Sequence, residues 1–111
     1  MKIKETTLNG VAIAAVTGRI DSGTAGACEV ELLKAVQGGH RAVVLDLAGV
    51  DYLSSAGIRA LVMVFKRAAA SKLPISLARP QDHVQEILEI AGLDDILIAY
   101  PSIEAAVDAI G

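Results

Sequence analysis

The sequence predicts a single α/β domain with a mixed β-sheet, an N-terminal hairpin and about four helices, in the order ββαβαβαβα. Its 111 residues suit one hydrophobic core. The composition, with 53% hydrophobic and 21% charged residues, is typical of a folded chain rather than a disordered one. After the hairpin, strand-like and helix-like segments alternate, which is the pattern of parallel strands joined by helical crossovers.

The first third of the chain predicts the hairpin and one helix. Residues 2–8 and 11–17 are two β-prone runs around Asn9–Gly10, a dipeptide that accepts the positive φ angles of a tight turn. Either Asp21 or Ser22 is then expected to cap a helix, because apolar residues recur at helical spacing until a Gly-Gly pair ends it.

The middle third predicts a central strand and the longest helix. Residues 42–47 form an apolar run broken by one acid, as in a strand covered on both faces. A turn is expected at 49–51, and a helix from about Ala56 to Ser71 follows it. Either Ser54 or Ser55 is expected to cap this helix.

The last third predicts two short strands and two helices. Pro74 cannot prolong the long helix, so residues 75–78 are expected to form a strand. A helix over 81–91, a strand over 96–99 and a capped helix over 102–110 complete the order.

Charge and hydropathy exclude several classes of function. The net charge of −3 and the 3% aromatic content argue against phosphate neutralisation and base stacking, so no direct nucleic-acid partner is expected. The longest apolar stretches are far shorter than the roughly 18 to 20 residues that cross a bilayer, so no membrane insertion is expected. The N-terminus has charged residues where a signal peptide would have its apolar core, so a cytoplasmic location is expected.

Metal sites and cofactors are not expected either. Cys28 is the only cysteine and is expected to be a small buried or half-buried helix residue. His40 and His83 lie far apart, with no Cys or acid at zinc-ligand spacing beside them. Both histidines are expected to be exposed polar residues.

Enzyme motifs are incomplete. Residues 18–24 have glycines at phosphate-loop spacing but lack the lysine that should follow the second one. Ser54 and Ser55 lie in neither a Gly-x-Ser-x-Gly nor a Ser-x-x-Lys arrangement. Asp46 and Asp51 could approach these serines, but acids at a turn usually cap amides or face water. The chain is therefore expected not to be an enzyme, and a small enzyme or nucleotide sensor is the weakest alternative.

The segment 46–59 at the start of the long helix offers a different chemistry. Gly57 would leave the first helical turn open to another protein, and a serine hydroxyl there could be reached by a kinase. A phosphate adds about −1.5 to −2 charges, which helix amides tolerate but a docked partner would not. Such a position would act as a phosphorylation switch in a protein–protein interface, and one serine could cap the helix as well.

Four segments carry a resemblance to a known family. They are Gly18–Asp21 at the end of the second strand, Val43–Leu47 in the central strand, Tyr52–Ile58 opening the long helix and Ala91–Leu93 near the end. In order and spacing the chain resembles the STAS family of bacterial anti-sigma-factor antagonists, from about Lys2 to Ala109. The resemblance implies one STAS domain over residues 1–111.

The resemblance implies a partner-switching regulator of transcription, of the kind used in stress responses. The unphosphorylated antagonist would bind an anti-sigma factor that is also a serine kinase and so release a sigma factor. Phosphorylation would reverse the binding, and a separate serine phosphatase would restore it. Neither the kinase nor the phosphatase activity would reside in this chain.

The resemblance also assigns site residues. The phosphorylated serine of the family corresponds to Ser55, with Ser54 as the alternative because well-known members have an acid there. Asp21 corresponds to an acid near that serine and is expected to face the kinase, with helix capping as its alternative role. The other partner contacts are expected among the neighbours of these positions: Ser22, Leu53, Ser54, Ala56, Gly57, Ile58 and Arg59. Leu53 and Ile58 have packing in the core as their alternative role. STAS proteins also serve transport systems, so the alternative function is a regulatory subunit of a membrane transport complex, with Ser55 as a contact only.

Overall fold

The computed structural model describes residues 1–110 and has the predicted order of strands and helices. The strands are β1 (Lys2–Leu8), β2 (Val11–Ile20), β3 (Ala42–Leu53), β4 (Ile75–Ala78) and β5 (Ala99–Tyr100). The helices are α1 (Ala25–Val36), α2 (Ser55–Ala70), α3 (Asp82–Ile90) and α4 (Ile103–Ile110). The predicted fold class, a single α/β domain with a mixed sheet, is confirmed.

One five-stranded sheet runs in the spatial order β1-β2-β3-β4-β5. β1 pairs antiparallel with β2, through the predicted hairpin turn in which Asn9 and Gly10 have φ angles of +53° and +80°. β2, β3, β4 and β5 are parallel, and each crossover between them is a helix. The carboxyl ends of the parallel strands therefore share one edge of the sheet.

Both faces of the central strands are buried. Leu32 of α1, Leu61 of α2 and Leu88 of α3 are fully buried in the main core on one face. A smaller cluster on the other face holds Val44 of β3 and Val107 of α4. This two-sided cover explains the nearly continuous apolar sequence of β3.

The turn expected at 49–51 does not form. β3 continues through it to Leu53 because β2 also extends further than expected, to Ile20, and gives the backbone a partner. Val50 pairs with Gly18 and is fully buried. The irregularity lies in the register, because β3 has an extra residue relative to β2 between Asp46 and Gly49 and another between Val50 and Tyr52.

The last strand is shorter and later than the predicted 96–99. Ile96 and Leu97 both donate backbone hydrogen bonds to the Leu93 carbonyl, so they belong to a turn. The apolar residue at position 97 is explained by its full burial in the main core and not by a place in a strand. Regular pairing with β4 is confined to Ala99 and Tyr100.

Candidate functional site

The candidate site lies where the carboxyl ends of β2 and β3 meet. The Ser54 N–H donates to the Ile20 carbonyl at 2.9 Å, which joins the end of β2 to the start of α2. Asp21 directly follows Ile20, so the loop before α1 lies beside the first turn of α2. The structure thus brings together the two segments that the sequence singled out.

Ser54 is the N-cap of α2. Its backbone is extended, with φ −83° and ψ 173°, and its Oγ accepts a hydrogen bond from the Gly57 N–H at 3.2 Å. This bond satisfies one of the amide groups that the first helical turn leaves without a partner. The choice between Ser54 and Ser55 as the cap is therefore decided for Ser54.

Ser55 is the first residue of α2 and its side chain is exposed. Within residues 1–110 its hydroxyl makes no hydrogen bond. The two adjacent serines therefore differ in chemistry: one hydroxyl holds the helix start and the other faces solvent.

Gly57 faces inward, which corrects the expectation that it opens the helix surface. A Cβ at this position would lie 2.6 Å from the Ile20 carbonyl oxygen and 2.7 Å from Leu53 Cδ1. No real Cβ makes such contacts, so only glycine permits this approach of α2 to β2. The missing side chain serves internal packing.

The predicted contacts around the serines divide into inward and outward positions. Leu53 is 3% exposed and belongs to the main core, which corrects the expectation of a surface contact. Ala56 and Ile58 are partly buried and pack against the same core. Arg59 and Ser22 are exposed and available to a partner.

Neither Asp21 nor Ser22 caps α1, which corrects that expectation. Thr24 immediately precedes the helix, and its hydroxyl donates to the Arg19 carbonyl at 2.8 Å. The Asp21 carboxylate instead accepts from the Gly23 N–H at 2.9 Å, in the turn before the helix. This hydrogen bond lowers the pKa of Asp21 below its ordinary value, so the carboxylate is charged at neutral pH.

Arg19 and Tyr52 were not among the predicted site residues, yet they lie at its centre. They are register partners on β2 and β3, and the Arg19 guanidinium carbon lies 4.1 Å from the centroid of the Tyr52 ring. Arg19 Nε also lies 3.6 Å from Asp21 Oδ2. In the sequence, the two residues are marked only by their position near the ends of two strands. That they are partners can be recognised only when the register of β2 against β3 is known.

The two acids considered as partners of the serines have other contacts. Asp46 is buried and binds Arg79 through two hydrogen bonds, of 3.1 Å to Nε and 2.6 Å to Nη2. Asp51 is exposed, and its carbonyl accepts from His83 Nε2 at 2.7 Å. Within the described residues neither carboxylate hydrogen-bonds to Ser54, so no acid–base pair is assembled there.

The remaining titratable groups do not form a metal site. Among residues 1–110, no group of three or more His, Cys, Asp or Glu side chains could hold a metal ion. His40 is half-buried, not exposed as expected, and its Nε2 lies 3.4 Å from Glu5 Oε2. Cys28 is buried as predicted, and burial raises the pKa of its thiol to about 11. No helix of the described chain combines the length and apolarity needed to cross a bilayer.

Comparison with known proteins places this geometry in a family. The chain is 38% identical over 109 residues to BtrV of Bordetella bronchiseptica, provisionally named an anti-sigma factor antagonist, with 98% of this chain and 94% of that protein covered. It superposes on an anti-sigma factor antagonist from Mycobacterium paratuberculosis with a TM-score of 0.85 and 25% identity, covering 98% of this chain and 92% of the other. For a provisionally assigned anti-sigma factor antagonist from Thermotoga maritima the TM-score is 0.89 at 19% identity, with 97% of this chain and 93% of the other covered. At this identity the similarity is one of fold. The sequence profile of the STAS domain matches residues 2–106, and the chain belongs to the STAS domain family.

Proposed function

We propose that this protein is an anti-sigma-factor antagonist, a binding protein and not an enzyme, whose partner binding is switched by phosphorylation of Ser55. The names of its relatives from B. bronchiseptica and M. paratuberculosis support the general function. The observation that carries the switch is the contrast between two adjacent serines. The Ser54 hydroxyl is engaged as a helix cap, whereas the Ser55 hydroxyl is exposed and unengaged.

The proposed docking surface follows one face of α2. Ser55, Arg59 and Met63 are four residues apart along the helix, so they lie in one row. Ser55 and Arg59 are exposed, and Met63 is 46% exposed although it is apolar. Tyr52, three residues before Ser55 in the chain, is 38% exposed. An anti-sigma-factor surface with a hydrophobic centre and an acceptor opposite Arg59 would fit it, and its binding would release the sigma factor.

Phosphorylation changes the charge of this surface without disturbing the fold. The anti-sigma factor, acting as a serine kinase, would transfer the γ-phosphoryl group of ATP to Ser55 Oγ. The new O–P bond replaces the bond to ADP, and the hydroxyl proton passes to a base of the kinase. The phosphate adds about −1.5 to −2 charges at a helix N-terminus, where the dipole tolerates them.

The bound partner would lose affinity for the phosphorylated form for two reasons. A surface that fits a neutral hydroxyl has to desolvate a dianion that it does not pair. The Asp21 carboxylate, held in its charged form by the Gly23 N–H, adds like charge from the neighbouring loop. A serine phosphatase would restore the neutral surface, and the cycle would take place in the cytoplasm with the transcription machinery.

Affinity capture from a lysate of the source organism tests this proposal. Ser55→Ala bait is expected to retain an anti-sigma factor with kinase sequence motifs, and Ser55→Asp bait to lose it by at least about tenfold. Ser71→Asp is the matched control, because it places the same charge on an exposed serine at the opposite end of α2 and should retain the partner. Equal retention on Ser55→Asp and Ser55→Ala would contradict the switch.

The same experiment tests the alternative function and the position of the phosphate. Transporter subunits held equally by all three baits would support the regulatory subunit of a transport complex instead. Incubation of the captured kinase with ATP and Mg²⁺ should label the wild-type protein and Ser54→Ala but not Ser55→Ala. Label that persists in Ser55→Ala and disappears in Ser54→Ala would move the site to Ser54.

A further inference from the structure

The phosphate on Ser55 would find an unpaired cation on its own helix. Arg59 lies four residues after Ser55 in α2, so the two side chains emerge on one face, about one turn apart. Both are exposed. An acid four residues before a base is also the favourable orientation for an ion pair on a helix.

The Arg59 guanidinium is unengaged in the unphosphorylated protein. Within residues 1–110 it forms no ion pair and no hydrogen bond to a side chain. Arg19, near the end of β2, is already engaged, since it stacks on Tyr52 and lies 3.6 Å from Asp21. Arg59 is therefore the cation that can move to the phosphate without breaking an existing contact.

The other ionisable groups near this edge do not compete for the phosphate. Asp21 and Asp51 are acids and repel it. His83, at the start of α3, uses its Nε2 to bind the Asp51 carbonyl. A guanidinium, in contrast, presents paired N–H donors that match phosphate oxygens.

We propose that Arg59 is a positioning residue for the modified serine: its guanidinium binds the phosphate of phosphorylated Ser55 and is then no longer free to pair with a group of the partner. Phosphorylation then changes two positions of the docking surface at once. The neutral hydroxyl of Ser55 becomes a phosphate, and the exposed guanidinium of Arg59 becomes paired with that phosphate. The inference rests on the proposed function for its biological use, but the ion pair itself is independent of any kinase or anti-sigma factor.

The test uses the full chain with phosphoserine incorporated at position 55 during translation, so that no partner protein is needed. The second pKa of the phosphate is measured by ³¹P NMR titration in four proteins: the otherwise unchanged chain, Arg59→Gln, Arg59→Lys and the control Arg67→Gln. Arg67 is an exposed arginine in the last turn of α2, far from Ser55. A conservative variant, Arg59→Lys, keeps the charge but not the paired donors.

The expected result is a phosphate pKa higher in Arg59→Gln by roughly 0.2 to 0.4 pH units, the size of one helix ion pair at this spacing. Arg67→Gln should match the unchanged chain, and Arg59→Lys should fall between them. The difference should nearly vanish at about 1 M salt, where exposed charges are screened. Identical titrations of the unchanged chain and Arg59→Gln at low salt would overturn the inference, and would leave the capture experiment on Ser55 unaffected.

Discussion

Gly57→Ala should destabilise the protein, although alanine normally stabilises a helix. The added Cβ would lie 2.6 Å from the Ile20 carbonyl oxygen, where ordinary contact begins at 3.4 Å. The first turn of α2 would have to move away from β2 by about 0.8 Å, which also strains the hydrogen bond between the Ser54 N–H and the same oxygen.

The magnitude follows from two opposing effects. Overpacking of this kind costs typically about 1 to 3 kcal/mol, and a backbone oxygen cannot turn aside as a side chain can. The gain in helix propensity offsets about 0.5 to 1 kcal/mol of this. The central values of the two effects give a net loss of about 1 kcal/mol in the free energy of unfolding, and the upper limit is about 2.5 kcal/mol; a loss of about 1 kcal/mol lowers Tm by several degrees in a domain of this size.

Gly26→Ala is the matched control. Gly26 lies in α1, is exposed, and has nothing within 4 Å of the position that a Cβ would take. This variant should gain about 0.5 to 1 kcal/mol from propensity alone. Urea unfolding followed by circular dichroism measures both variants. If Gly57→Ala proves as stable as the wild-type protein, the close approach of α2 to β2 is not what requires glycine.

Three further predictions concern single side chains. Ser54→Ala should lower the free energy of unfolding by about 1 kcal/mol through loss of the cap, whereas Ser55→Ala should change it by less than about 0.5 kcal/mol in the same urea titrations. Because the pKa of Asp21 is lower in the folded protein than its ordinary value of 3.8, the ionised carboxylate stabilises the fold at pH values above 3.8. This stabilisation is lost as the pH falls through the lowered pKa. Asp21→Asn should therefore be less stable than the wild-type protein at about pH 7, by an amount that shrinks as the pH falls below 3.8, and a deficit that does not change with pH would disprove the cause. The Cys28 thiol, with a pKa of about 11, should react with a thiol reagent at about pH 8 only after urea is added, and rapid labelling of the native protein would show that it is accessible.

Much of the fold could be predicted from the sequence because its signals are local. Asn9–Gly10 specifies a hairpin turn, since few residues adopt its positive φ angles. The apolar spacing in α1 and α2 specifies amphipathic helices, and the apolar run at 42–47 specifies a buried strand. The signals that failed were also local. The glycine at 49 suggested a turn, but the extension of β2 beside it kept β3 in the sheet.

The candidate site could be located from the sequence but not resolved. The serines, the following glycine and Asp21 marked the junction where β2 and β3 end, because a strand end followed by a capped helix is visible in residue order. Residue type alone does not decide which of two adjacent serines caps the helix. The helix starts at Ser55, so Ser54 takes the capping position and Ser55 is left exposed.

The sequence by itself therefore determined the order of elements, the helical and extended segments and the junction that holds the serines. Only the tertiary structure decided which groups distant in the chain come into contact: Arg19 with Tyr52, Asp46 with Arg79, and Gly57 with Ile20. The physical reason is the range of the interactions. Periodicity and capping act over about four residues, whereas these contacts join residues about 30 or more apart in the chain and depend on strand register and helix approach.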